Sequence, residues 1–254
     1  MKFINWVVTS AIKGILRILC RVDDAELAMV PYRGPLIMVS NHVNFLEAPL
    51  IYTHLLPRQM AGFAKAEAWK NPLLRFLAKL WGPIPLRRGE VHRSALNEAL
   101  EALEEGLILG LAPEGTRSGD GRLQQGKPGT VLLALRGGAP LLPVVHYGGE
   151  FFWRNLARLR RTEFHIVVGQ PFYLEAEGIK VTRQVRRQMT DEIMYQMAAL
   201  LPPVNRGVYA HLDDATETYL RFPSGSQSNL SRAKPTSQSS GALEPQRSLP
   251  PAAR

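Results

Sequence analysis

The spacing of apolar side chains changes character along the chain, and each change marks an element. From residue 36 onward, short β-rich runs alternate with stretches of helical periodicity. That alternation is the pattern of an α/β domain with a mostly parallel central sheet flanked by helices. The runs predict strands at Leu36–Ser40, Ile84–Leu86, Leu107–Leu111, Leu141–Val145 and Phe164–Val168. Between them, Asn71 and Pro72 supply a cap and a first turn for a helix reaching about Leu80, and Glu90–Glu105 reads as a second helix stopped by Gly106. A third helix covers Gly129–Arg136 before Gly137 and Gly138, and a fourth runs from Thr182 to Leu200 ahead of Pro202 and Pro203.

The N-terminal segment follows another rule. Ile4, Trp6, Val7, Val8, Ile12, Ile15, Leu16, Ile18 and Leu19 are interrupted by Lys13 and Arg17 and flanked by Lys2 and Arg21. This predicts an interfacial amphipathic helix over residues 1–22 that associates with a membrane. Docking of the same helix on the protein's own core is the competing reading. No stretch reaches the ~18 uninterrupted apolar residues of a spanning helix. The charges at 13 and 17, with no small-residue cleavage site after them, argue against a signal peptide. Residues 222–254 turn to serine, proline, glutamine and alanine, a composition that buries too little apolar surface to order itself and predicts a disordered tail. The domain is then residues 23–221.

Charge narrows the partners. Lysine and arginine number 31 against 22 acidic residues, a net +9, so phosphate, nucleic acid or an anionic membrane face is the expected company. No nucleic-acid recognition fold matches this charge, and nucleic acid is not expected as a partner. The one cysteine, Cys20, precludes an internal disulfide framework. It continues a helical apolar pattern, which predicts burial; a reducing, cytoplasmic setting fits.

Candidate chemistry sits after three strands. Leu36–Ser40 runs into Asn41, His42, Val43, Asn44, Phe45, Leu46 and Glu47, placing a histidine at a strand's carboxyl end, where open α/β sheets hold their sites. A histidine becomes a general base when a carboxylate holds its other ring nitrogen, and His42 with Glu47 could form that pair. Asn44 followed by Glu47 is equally a capping box opening a helix, and the two readings can coexist. After Leu107–Leu111 come Pro113, Glu114, Gly115, Thr116, Arg117 and Ser118. Gly115 allows close backbone approach, and Arg117 offers a planar fork for phosphate or carboxylate. An ordinary turn with an internal Glu114–Arg117 pair is the alternative. Gly82–Gly89 delivers Arg87 and Arg88 to a loop before a helix, an arrangement suited to anions; a solvated surface pair is the alternative, and the one favoured by this segment taken alone. Phe151, Phe152 and Trp153 next to Arg154, Arg158, Arg160 and Arg161 suit a membrane interface or, equally, a helix face with core aromatics.

In order and spacing these motifs resemble the glycerolipid acyltransferase family. Its first motif is asparagine, histidine, four residues, then aspartate, matched by Asn41 and His42. Its second resembles Gly82–Arg88, its third Pro113–Ser118, and its fourth Leu142, Pro143, Val144 and Val145. The resemblance covers about residues 33–200. It implies an acyltransferase domain at 23–221 moving a fatty acyl group from an acyl thioester donor to a lysophospholipid acceptor, lysophosphatidate above all. His42 and Glu47 would be catalytic; Arg88, Glu114, Gly115, Thr116 and Arg117 would bind substrate, with Glu114 orienting Arg117 or touching the glycerol. Neither a metal nor a cofactor is implied, since acyl-CoA or an acyl carrier protein enters as co-substrate. The location implied is the cytoplasmic face of the cell membrane, peripheral or monotopic, on an anionic surface. Two positions depart from the family: Glu47 replaces aspartate, and Arg87 stands where an acidic residue is common. Acylation of glycerol 3-phosphate or another lysolipid, and a catalytically silent lipid-binding role, are the rival readings. A hydrolase is disfavoured because no Gly-x-Ser-x-Gly elbow occurs.

Overall fold

Buried strands set the architecture. The computed structural model describes residues 2–65, 70–86 and 93–233. In chain order the elements are α1 (Lys2–Leu19), β1 (Cys20–Asp23), β2 (Leu36–Val39), α2 (Glu47–Leu55), β3 (Met60–Lys65), α3 (Pro72–Trp81), β4 (Ile84–Leu86), α4 (Arg93–Glu104), β5 (Ile108–Leu111), α5 (Gly129–Gly137), β6 (Leu141–Tyr147), α6 (Phe152–Leu156), β7 (Thr162–Val168), β8 (Tyr173–Leu174), α7 (Arg183–Ala198), β9 (Leu220–Arg221) and α8 (Leu230–Ala233), joined in places by short 3₁₀ turns.

A seven-stranded sheet takes the order β1-β7-β6-β2-β5-β3-β4. From β6 through β2, β5 and β3 to β4 every pairing is parallel; β7 is antiparallel to β6, and β1 is parallel to β7. The α/β class and the mostly parallel sheet are therefore as the sequence pattern indicates. Alternation along β2 shows how the layers form. Ile37 and Val39 face a core with α4, α5 and α7, while Leu36 and Met38 face a second core with α1 and α2, the period-2 rule of a strand buried on both sides. Thr182 caps α7, its side chain accepting from Val185 N at 3.3 Å.

Several boundaries differ from expectation. β1 and β3 carry no strand signal in the sequence; β3 holds Gly62 and two alanines where β-branched residues would announce a strand. Residues 222–233, expected within the tail, are ordered. Asn229 is buried and exchanges hydrogen bonds with Gln196 and Gln170, and Arg232 pairs with Glu26 at 2.6 Å. Polar anchoring there replaces the apolar burial that composition shows to be missing. The rest of the expected tail lies outside the described residues, as do residues 87–92.

Helix α1 docks on α2 and α3. Asn5 Nδ2 donates to Leu80 O at 3.3 Å, and Trp81 Nε1 donates to Thr9 Oγ1 at 3.3 Å. Leu16 is buried, whereas Phe3 and Trp6 are 75% and 66% exposed, and Ile4, Val7, Ile15 and Ile18 are also exposed. Among the described residues, no helix is long and apolar enough to cross a membrane. Cys20 is buried as expected, and burial pushes its thiol up against the opposing charge of Arg161.

Candidate active site

The chain leaves β2 at the carboxyl edge of the sheet, and a clamp to the neighbouring strand fixes its course. Buried Asn41 donates from Nδ2 to His146 O and accepts from His146 N, both at 2.9 Å, while His146 Nε2 donates to Asn41 O at 2.9 Å. His42 follows directly. Its Nδ1 is hydrogen-bonded to Glu47 Oε1, and the second oxygen of Glu47 accepts from Asn44 N at 3.0 Å. Asn44 Oδ1 in turn accepts from Leu46 N at 2.8 Å. The same carboxylate therefore holds the imidazole and closes the helix start, so the two contacts coexist. Burial alone would push Glu47 up, but the bond from His42, the charges of His146 and His42 and a backbone contact outweigh it and hold the carboxyl below its ordinary range. An ionised carboxylate only accepts, so Nδ1 carries the proton and Nε2 presents a lone pair. The ring is 28% exposed, within reach of a substrate.

The loop after β5 locks onto this turn. Glu114 Oε1 accepts from His42 N at 2.8 Å and Oε2 from Gln124 N at 2.9 Å, while Ser118 N donates to His42 O at 2.8 Å and Gly119 N to Val43 O at 3.0 Å. This corrects the role expected of Glu114. Its side chain is 0% exposed with both oxygens engaged by backbone amides, so it neither orients Arg117 nor meets a substrate; it fastens one loop to the other. Burial pushes its carboxyl up, against the two amides and the charge of His42.

The tip of the loop is open. Gly115 sits at φ +63°, and Thr116 and Arg117 are exposed, Arg117 making no hydrogen bond or ion pair among the described residues. Lys127 returns over the glycine: a Cβ at 115 would lie 3.1 Å from Lys127 Cδ and 3.3 Å from its Nζ. Two cations thus flank a surface where only glycine leaves room. Lys127 escaped sequence reasoning because its approach is fixed by Lys127 N donating to Pro113 O at 2.8 Å, a contact that leaves no local pattern. Arg88 lies outside the described residues. Asn41 and His146 were also missed as supports; a polar residue ending a buried strand is the signal that could have found Asn41.

Aromatic rings border the site on its other side. Phe45, exposed, lies 5.5 Å from Trp153 and 5.8 Å from Phe152 between centroids. Trp153 is 62% exposed, and Arg154 stands 4.6 Å over the Phe151 ring. A base, two cations and an apolar rim can together deprotonate a hydroxyl on a phosphate-bearing, lipid-like molecule.

The family model described as Acyltransferase matches residues 21–147, half of the chain. The chain is 28% identical over 130 residues to a 1-acyl-sn-glycerol-3-phosphate acyltransferase of Borreliella burgdorferi, covering 50% of this chain and 52% of that one. It is 37% identical over 122 residues to the protein of the same name from Limnanthes alba, covering 47% and 43%, and 25% identical over 164 residues to that from Bacillus subtilis, covering 65% and 80%. It spans about half the length of the first of these curated relatives. The crystal structure of the 1-acyl-sn-glycerophosphate acyltransferase PlsC from Thermotoga maritima superposes with a TM-score of 0.54 at 24% identity, covering 74% of this chain and 77% of that one. At that identity the likeness speaks for the fold alone.

Proposed function

The chain belongs to the acyltransferase family, and from that premise we propose that it moves a fatty acyl group from an acyl thioester to the free hydroxyl of 1-acyl-sn-glycerol 3-phosphate, giving phosphatidate. The observation that carries the reading is the His42–Glu47 pair: the carboxylate takes up Nδ1 of a partly exposed ring, which supports Nε2 as the base. In the step we envisage, Nε2 takes the hydroxyl proton as the oxygen attacks the thioester carbonyl. The C–S bond then breaks, and the departing thiolate recovers the proton from the imidazolium, which Glu47 stabilises meanwhile. General-base help of this kind is worth about 10²–10⁴ in rate. Arg117 and Lys127 would hold the acceptor phosphate, a role the family motif also assigns to Arg88, and fixing its hydroxyl next to the thioester supplies much of the remaining acceleration.

Glutamate at 47 favours an active enzyme over a silent lipid binder. Its longer side chain spans both Nδ1 of His42 and the amide of Asn44. The exposed apolar face of α1 and the aromatic rim with its arginines support peripheral attachment to an anionic membrane, on the cytoplasmic face. Thioester consumption measured against lysophosphatidate, glycerol 3-phosphate and other lysolipids tests the proposal. Turnover with lysophosphatidate well above the rest is the expected result; preference for another acceptor would reassign the substrate, and no turnover with any would leave the silent reading.

A further inference from the structure

Away from the His42 site, a cavity of about 330 Å³ opens between the C-terminal end of α1, β1 and α2, lined by Arg17, Arg21, Arg161, His54 and Asp24. Its chemistry is unbalanced. The Arg17 guanidinium makes no hydrogen bond or ion pair among the described residues. Arg161 is anchored there, its Nη2 donating to the carbonyls of Arg17 and Cys20, the latter at 2.8 Å. Arg21 reaches Glu163 at 3.1 Å, an exposed pair that solvent screens. Lys13 faces the same group, its ammonium pushed down by burial and by Arg17 against the pull of Asp24. Four cations thus meet two carboxylates, Asp24 and Glu163.

His54 supplies the observation that turns a basic hollow into a site. Its side chain is 1% exposed, and Nδ1 bonds to Leu50 O at 2.8 Å, a carbonyl that can only accept. Nδ1 therefore holds the proton and Nε2 is a bare acceptor. Nε2 is buried without a hydrogen-bond partner; Asp24 Oδ2, at 4.0 Å, is itself an acceptor. Burial holds this imidazole below its ordinary range, with Lys13 and Arg17 adding to the effect and the Leu50 carbonyl and Asp24 opposing it. A single ligand that completes the cavity would bring negative charge for the arginines and a hydrogen-bond donor for Nε2. Those two properties coincide in a phosphate monoester, whose second pKa of about 6 leaves a P–OH on its monoanion. A phosphate diester or sulfate brings the charge without the proton.

We propose that this cavity binds a phosphate monoester, the headgroup of a lipid such as phosphatidate or a free phosphate, with Arg17, Arg21 and Arg161 on its oxygens and His54 Nε2 accepting its hydroxyl proton. The site stands apart from acyl transfer and does not rest on it. Ile15 and Ile18, which flank Arg17 in sequence on α1, are exposed, and so is Leu159 at 95%, two residues before Arg161, a neighbourhood that suits a headgroup entering from a membrane.

The test uses the full chain with ¹⁵N-labelled histidine, following the His54 Nε2 resonance, assigned through its backbone correlations, near pH 6, about the second pKa of the ligand. Titrants are inorganic phosphate, sulfate, and phosphatidylcholine nanodiscs carrying either phosphatidate or phosphatidylserine. Saturable shifts with both phosphate and phosphatidate support the class; a shift with one of them supports the site and names its source. No shift with either, or equal shifts with sulfate and phosphatidylserine, would overturn the proposal. Combined Arg17→Gln and Arg21→Gln should weaken the response on the order of tenfold, since charge-assisted bonds are lost. Turnover of the same double variant on lysophosphatidate should be retained, and a parallel collapse of turnover and phosphate binding would instead merge this site with the acceptor site.

Discussion

Glu47→Gln is the substitution on which the structure speaks most directly. The carboxylate accepts twice, from Nδ1–H of His42 on one oxygen and from Asn44 N–H on the other. Glutamine offers one acceptor and one donor, so its amide must choose. With the carbonyl toward His42, the NH₂ confronts Asn44 N–H, and a part-buried backbone donor is left unsatisfied at a cost of about 1–3 kcal/mol. With the carbonyl toward Asn44, the NH₂ donates to Nδ1, every bond is kept, and the imidazole switches its proton to Nε2. The second arrangement wins by roughly 5- to 150-fold in population. Nε2 is then no longer a base, and the imidazolium would lack its counter-charge in any molecules that escape the switch. A histidine–carboxylate pair converted to the amide elsewhere loses about 10⁴ in turnover with geometry intact, so a fall of about 10²–10⁴ in kcat is expected here. Melting temperature should hardly move, because all hydrogen bonds are retained. Glu47→Asp keeps the charge and the tautomer and should lose far less. The assay is thioester consumption with lysophosphatidate, paired with thermal unfolding of each variant. A glutamine variant that folds and turns over at close to the wild-type rate would refute the dyad and leave Glu47 as a cap.

Other outcomes follow from the same geometry. His42→Ala should lower kcat by about 10²–10⁴ with the melting temperature retained, since the ring is partly exposed and its backbone supplies the bonds to Glu114 and Ser118; near-normal turnover would remove His42 from the mechanism. Arg117→Ala and Lys127→Ala should each raise the acceptor KM more than the donor KM, and equal effects on both substrates would count against phosphate binding. Deleting Met1 to Leu19 should release the protein from anionic vesicles, because stable attachment takes two signals and the helix is one; unchanged co-sedimentation would place the docking surface elsewhere. Burial holds His146 below the ordinary imidazole range, against the charges of Glu47 and Glu150 and the bond to Asn41, and burial acts likewise on His54. The unfolded chain, titrating near 6.5, then takes up protons that the fold refuses, so stability should be full above about pH 6.5 and fall as the pH drops below it. Melting temperatures in phosphate-free buffer measure this, and a flat profile down to about pH 5 would contradict it.

What the sequence made legible, and what it hid, divides along one physical line. β2, β5, β6 and β7 announce themselves because strands buried on one or both faces need apolar runs, and helices α3, α5 and α7 because caps and glycine stops are local. The pairing of His42 with Glu47 was also within reach, since five residues separate them and a turn must close that gap. Glu114 was misread for the opposite reason. Its partners, the amides of His42 and Gln124, are defined only once β2 and β5 lie side by side, and a carboxylate beside an arginine in sequence invites a pairing that the backbone donors pre-empt. The ordered stretch at 222–233 makes the same point from composition. Apolar content measures the surface a segment can bury, yet Asn229 and Arg232 tie their segment down through amides, carboxylates and carbonyls borrowed from α7, β7 and residues 26 and 170. Such anchors draw on groups that the rest of the fold has already ordered, so the segment need bring little apolar surface of its own. A composition rule calibrated on self-sufficient segments therefore fails where a polar segment follows a finished domain closely enough to be fastened to it.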